Sequence, residues 1–208
     1  MINNYSFISF TCIEAPLSKV REAVIRILDT NFQQNGYTVY ESELTLASMY
    51  INRPFNDGIR LKKALFYTSH KSNNLTIMFS NLEDGWITLS NCISSELKCK
   101  CWNFTINDET KELYPKNSFE IREAGKAIRI VYVLKDWDKW IFYEAGTHLS
   151  FENPNHYSKR MKKERLNESI IIQYCGKLGW DIQDPKFWTA SHKAIYVEET
   201  IENRKTSK

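Results

Sequence analysis

Apolar residues at Leu17, Val20, Val24, Ile27, Leu28 and Phe32 recur at three- and four-residue spacing, which predicts an amphipathic helix. Pro16 suits its first turn, and Gly36 can take the left-handed conformation that closes a helix. Before it, Tyr5 to Cys12 reads as a strand buried on both faces. After it, Tyr37–Glu41, Leu44–Tyr50 and Leu61–Tyr67 read as strands, the last two separated by a run of turn formers from Asn52 to Gly58. Leu75, Ile77 and Phe79 alternate with Thr76, Met78 and Ser80, the pattern of a half-buried strand.

Trp86, Leu89, Ile93 and Leu97 share one face of a helical wheel, and Asp84 is placed to accept the first free amide hydrogens of a second helix. Trp102, Phe104 and Ile106, then Phe119 and Ile121, then Ala127 to Leu134, then Trp140 and Phe142 follow as strands divided by turns, an antiparallel meander. Ile128 to Leu134 is apolar on both pleat faces except at Arg129, so a central position is expected, with a covering layer on each side or with a curled sheet. The final third reads as two helical segments, the first with Tyr157 and Met161 inward, the second capped by Asn167, carrying Ile170, Ile171, Tyr174 and Leu178, and stopped at Gly179. Ala194–Glu198 reads as a last strand. The expected architecture is α+β: a mainly antiparallel sheet with an N-terminal, a central and a C-terminal helical segment packed on it, in a single domain over residues 1–198, with a polar tail at 199–208.

Composition agrees with a globular domain: 208 residues, 42% hydrophobic and 25% charged. The 28 basic and 25 acidic residues leave a formal net charge of +3, too near balance for the global field of a dedicated nucleic-acid binder. The longest apolar runs fall far short of the roughly 20 residues that cross a bilayer, and the first residues carry no basic n-region, so a cytoplasmic location and no membrane contact are expected. Five scattered cysteines, an odd number, point to reduced thiols.

Glu144, His148, Glu152 and His156 are spaced by four, which on one continuous helix would form a metal-ligand stripe. Gly146 and Pro154 break such a helix, so turn and loop hydrogen bonding is the expected role and no metal or cofactor is assigned. Cys99 and Cys101 point to one face of a strand beside Asn103 and Thr105 but lack two further soft ligands for zinc. Gly-x-Ser-x-Gly, phosphate-loop and dinucleotide fingerprints do not occur. Arg129 on a strand needs a partner, and in a hairpin with the next strand that partner is Glu144. Lys159, Arg160, Lys162, Lys163 and Arg165 form a basic cluster, read as a solvated helix face, with phosphate or acidic-partner contact as the alternative.

Trp180, Asp181, Asp184, Phe187 and Trp188 gather aromatics and acids in a short irregular segment, and Trp137 lies between Asp136 and Asp138. These six residues have the composition of an interface hot spot, though the rings could equally plug the sheet. No catalytic residue is assigned. The leading functional expectation is a non-catalytic intracellular protein-binding domain, for which a bacterial immunity-type protein with an unidentified protein partner is one concrete form. The alternatives are a metal-dependent hydrolase using Glu144 to His156 and a nucleic-acid-associated protein using Lys159 to Arg165.

Overall fold

The computed structural model describes residues 8–31, 36–43, 46, 49, 61–69, 74–107 and 115–200. Its strands are β1 (Ile8–Ile13), β2 (Tyr37–Ser42), β3 (Lys63–Thr68), β4 (Thr76–Ser80), β5 (Lys100–Asn107), β6 (Lys116–Glu123), β7 (Lys126–Asp136), β8 (Lys139–Gly146) and β9 (Ala194–Glu199). They form one antiparallel sheet in the order β2-β9-β3-β4-β1-β5-β6-β7-β8. Helices α1 (Leu17–Asn31) and α2 (Ile87–Leu97) cover one face, and α3 (Glu168–Lys177) with the loops around it covers the other. The chain is therefore α+β with a mainly antiparallel sheet. Among the described residues no helix is long and apolar enough to cross a membrane.

The helix-covered face is filled by Val20, Ala23, Val24, Ile27 and Leu28 of α1, which meet Phe66, Met78 and Val197 of the sheet. Their spacing puts all five on one side of the helix, and their burial is its main source of stability, since a helix of this length is marginal alone. The opposite layer is aromatic: Phe10 stacks on Phe104 with centroids 5.2 Å apart, and Trp188 meets Phe10 edge-on at 5.2 Å.

Several expectations change. Leu46 and Met49, the described residues of the Leu44–Tyr50 segment, are helical and buried, so that segment is not a strand there; their spacing of three suits a helix face. Thr76–Ser80 is buried along its whole length because helices cover the face that alternation assigned to solvent. The strand β7 lies second from the sheet edge, and Ile130, Tyr132 and Leu134 are only half-buried. Residues 154–164 form 3-10 turns at Pro154–His156 and Lys162–Glu164 in place of an α-helix, and Met161 is 47% exposed. The Asn167 cap holds: its side chain accepts from the Ile170 amide at 3.1 Å. Asp84 accepts from the Trp86 amide at 2.9 Å, while Trp86 itself, at φ 56°, is the N-cap of α2. Tyr5–Phe7, Phe32 and the tail beyond residue 200 lie outside the described residues.

The meander β5–β8 is tightened by two short turns. Glu123 pairs with Lys126 across Ala124 (φ 49°) and Gly125 (φ 79°), the two positive φ values that let a two-residue hairpin follow the strand twist. Between Ile121 and Arg122 the β6–β7 register shifts, leaving Ile128 as an extra residue on β7. This bulge sets which face receives Arg129.

Candidate functional site

Arg129 is 1% exposed on β7, on the same face as Val131 and Val133. An unpaired guanidinium there would cost several kcal/mol, at an order of magnitude. The chain surrounds it instead. Its Nε donates to Glu152 Oε1 at 3.0 Å and to Oε2 at 3.1 Å, and its Nη2 donates to Glu152 Oε2 at 2.7 Å and to Glu144 Oε2 at 2.7 Å. Nη1 donates to the carbonyls of Ala145 at 3.2 Å and Gly146 at 3.0 Å. The Tyr157 hydroxyl donates to Glu152 Oε2 at 2.6 Å, and the Leu149 amide donates to Oε1 at 2.8 Å. His148 Nε2 lies 3.0 Å from Glu144 Oε2.

Backbone geometry makes this possible. Gly146 faces Arg129 across the β7–β8 ladder with φ 87°, and a Cβ there would sit 2.1 Å from the Ile128 carbonyl oxygen. Only glycine fits. The chain then leaves the sheet and folds back, so that Glu152 and Tyr157 descend onto Arg129 from residues 147–157.

The electrostatics follow from burial and pairing. Burial opposes the Arg129 charge, but hydrogen bonds to Glu152 and Glu144 outweigh it and raise its pKa. Burial also works against ionised Glu144, and the bonds from Arg129 and His148 reverse the sign, lowering its pKa. Burial, and then the bond to Glu152, push the Tyr157 phenol up, so it acts as a neutral donor.

Two of the four side chains of the sequence stripe, Glu144 and Glu152, thus converge on a guanidinium, and a third, His148, reaches it only through Glu144. Both oxygens of Glu152 are filled by donors, leaving it unsuited to serve as a metal ligand or general base in this arrangement. His156 is elsewhere, its ring 6.2 Å from that of Tyr174. Among the described residues no group of three or more His, Cys, Asp and Glu side chains is arranged to hold a metal ion. The expected Arg129–Glu144 pair is present; Glu152 and Tyr157 were missed. The available signal was stoichiometric, because one half-exposed carboxylate cannot satisfy the five N–H donors of a buried arginine.

The six candidate partner-binding residues separate. Trp137 is 81% exposed at the β7–β8 turn with φ 52°. Phe187 and Trp188 are buried, and the Trp188 indole donates to the Ile182 carbonyl at 2.8 Å. Trp180 is half-buried, edge-on to Trp102 at 5.4 Å. Asp181 accepts from the Gln183 amide at 3.2 Å, and Asp184 accepts from the Lys186 amide at 2.9 Å, which caps the 3-10 turn Pro185–Trp188. The plug role therefore describes Phe187 and Trp188, and solvent access belongs to Trp137.

A cleft of about 360 Å³ is lined by Glu83, Asp84, Thr105, Lys116, Leu134 and Asp136, the last being the residue before Trp137. On the same sheet face Tyr132 stacks on Tyr143, centroids 5.1 Å apart. Cys99 and Cys101 are free thiols, Cys101 buried and Cys99 half-buried. Comparison with protein-family models, with curated proteins and with solved structures finds no match.

Proposed function

We propose that this chain is a non-catalytic intracellular protein-binding domain, engaging its partner through the edge hairpin β7–β8, with an immunity-type protein that neutralises a toxin as one concrete form. The observation that carries this reading is Trp137. An indole 81% exposed and held at positive φ contributes little to folding and costs backbone energy, so its gain is sought outside the fold. Among the described residues, three of the five exposed large hydrophobic side chains, Ile128, Trp137 and Tyr143, lie on this one hairpin. An aromatic anchor flanked in sequence by Asp136, Asp138 and Lys139 has the make-up of a hot spot, where a ring expels water and charges fix orientation.

The hydrolase alternative draws no support from its own residues, because Glu144 and Glu152 are committed to Arg129. The binding reading is tested by placing a photo-crosslinking amino acid at Lys139 in the full chain, expressed in its native cells, with Trp137 or with Trp137→Ala. A crosslinked protein that appears with Trp137 and vanishes with alanine is expected. Absence of any Trp137-dependent adduct overturns it.

A further inference from the structure

The second exposed feature of the molecule is the loop laid over β8. Residues Lys159 to Arg165 hold five cations against the single carboxylate of Glu164, a local charge of +4 on a chain whose formal net charge is +3. The rest of the chain is therefore slightly acidic, and the positive charge is concentrated on one loop. Lys159, Arg160, Lys162 and Lys163 are exposed, and none has a carboxylate partner among the described residues. Met161, in their midst, is 47% exposed.

The absence of a helix here changes the meaning of the cluster. A helix would spread these charges around its circumference, whereas a bend at 160–161 and the single 3-10 turn Lys162–Glu164 hold them on a short loop. The loop is also braced from within. Arg165 Nε donates to the Lys159 carbonyl at 2.7 Å and its guanidinium lies 5.1 Å from the Phe142 ring. Tyr157 on one side and Leu166 on the other are buried, and Tyr157 is tied to Glu152. Holding like charges together on an ordered loop costs repulsion in the free protein, and an anionic surface relieves that cost, most strongly at low salt. Preorganisation lowers the ordering entropy of such an encounter.

We propose that the loop Lys159–Arg165 is a docking surface for an acidic protein segment, with Met161 as the apolar contact and Lys159, Arg160, Lys162 and Lys163 as the charged rim. This rests on the protein-binding reading and adds the chemistry of the partner. A protein is favoured over nucleic acid by Met161. Surfaces that grip single strands pair cations with exposed rings on which bases stack, whereas this loop exposes a thioether, a side chain enriched at protein interfaces.

The test uses the full-length protein and a labelled acidic peptide with a central leucine, titrated by fluorescence anisotropy at low and high salt. Salt-sensitive binding is expected. It should weaken about tenfold or more when Lys159, Arg160, Lys162 and Lys163 are all changed to glutamine, and roughly threefold in Met161→Ser, with circular dichroism unchanged. No binding at low salt, equal binding by the quadruple variant, or more effective competition by a mixed-sequence oligonucleotide or by phosphatidylserine vesicles each overturns the proposal. The Trp137-dependent crosslink is a separate readout. If it persists while peptide binding fails, the loop assignment is wrong and the binding reading stands.

Discussion

The Arg129 guanidinium and the Glu152 carboxylate are joined by three hydrogen bonds, at 2.7, 3.0 and 3.1 Å, with both side chains withdrawn from solvent. This pair fastens residues 147–157 to the end of β7, and so fixes the base of the basic loop. Removing Arg129 leaves the Glu152 carboxylate buried without a cation, and removing the Glu152 charge leaves the buried guanidinium with only the partly exposed Glu144. Glu152→Gln and Arg129→Met are each expected to lose about 3–5 kcal/mol. The double variant Arg129→Met with Glu152→Gln should lose much less than the sum, because both buried charges are then gone. Urea unfolding of the four proteins measures this, and strict additivity would show that the pair is not coupled as described.

How far the sequence led depends on the range of the interactions concerned. The helix α1, the meander β5–β8 and the Asn167 cap rest on periodicity, turn residues and a local side-chain bond, all of which operate within a few residues. The Arg129–Glu144 pair was legible because one hairpin brings the two together. Glu152 reaches Arg129 only after the chain leaves the sheet at Gly146 and folds back, a path that no periodic pattern encodes. A helical phase across residues 157–161 would turn Met161 inward, but Pro154 starts a 3-10 turn and that phase does not apply, so Met161 is exposed.

Trp137 separates stability from binding. Asparagine tolerates positive φ better than a bulky ring does, and the exposed indole contributes little burial. Trp137→Asn is expected to leave folding stability unchanged or raise it by up to about 1 kcal/mol, while abolishing the crosslinked adduct. A loss of more than about 1 kcal/mol in thermal unfolding would mean that the indole serves the fold.

Phe187 gives the converse result. Its ring is 1% exposed and lies 6.1 Å from that of Phe10, with Trp188 beside it at 5.0 Å. Phe187→Ala should cost about 3–5 kcal/mol through lost burial and the cavity left behind. Partner binding, measured at a temperature where the variant is still folded, should be retained. Selective loss of binding with little change in stability would return this segment to the interface.

The two half-buried thiols are expected to differ in reactivity. A hydrogen bond from Cys101 lowers the pKa of Cys99, outweighing its burial, whereas burial raises that of Cys92. Since the thiolate is the nucleophile, iodoacetamide at mildly alkaline pH should modify Cys99 before Cys92, with Cys12, Cys101 and Cys175 protected until unfolding. Peptide mapping over a time course reads the order. Equal rates, or faster labelling of Cys92, would contradict this order of the two thiols.

His156 gives the fold an acid sensitivity of definite sign. Burial first, then the charges of Lys159 and Lys177, hold its folded pKa below the ordinary imidazole value, and Nδ1 finds no hydrogen-bond partner among the described residues. Between the folded value and the unfolded value, about 6.5, the unfolded chain binds more protons, so stability rises with pH across that window. The contribution is complete above the unfolded value and is lost as pH falls through the folded one. Glu144, also depressed, adds a loss of the same sign at lower pH, within the carboxylate range. His156→Phe keeps a flat ring against Tyr174 and removes the titration. Its urea midpoint should therefore fall less than that of the parent between pH 7 and about 5.5. Parallel slopes for the two proteins would show that His156 titrates as freely in the folded chain as in the unfolded one.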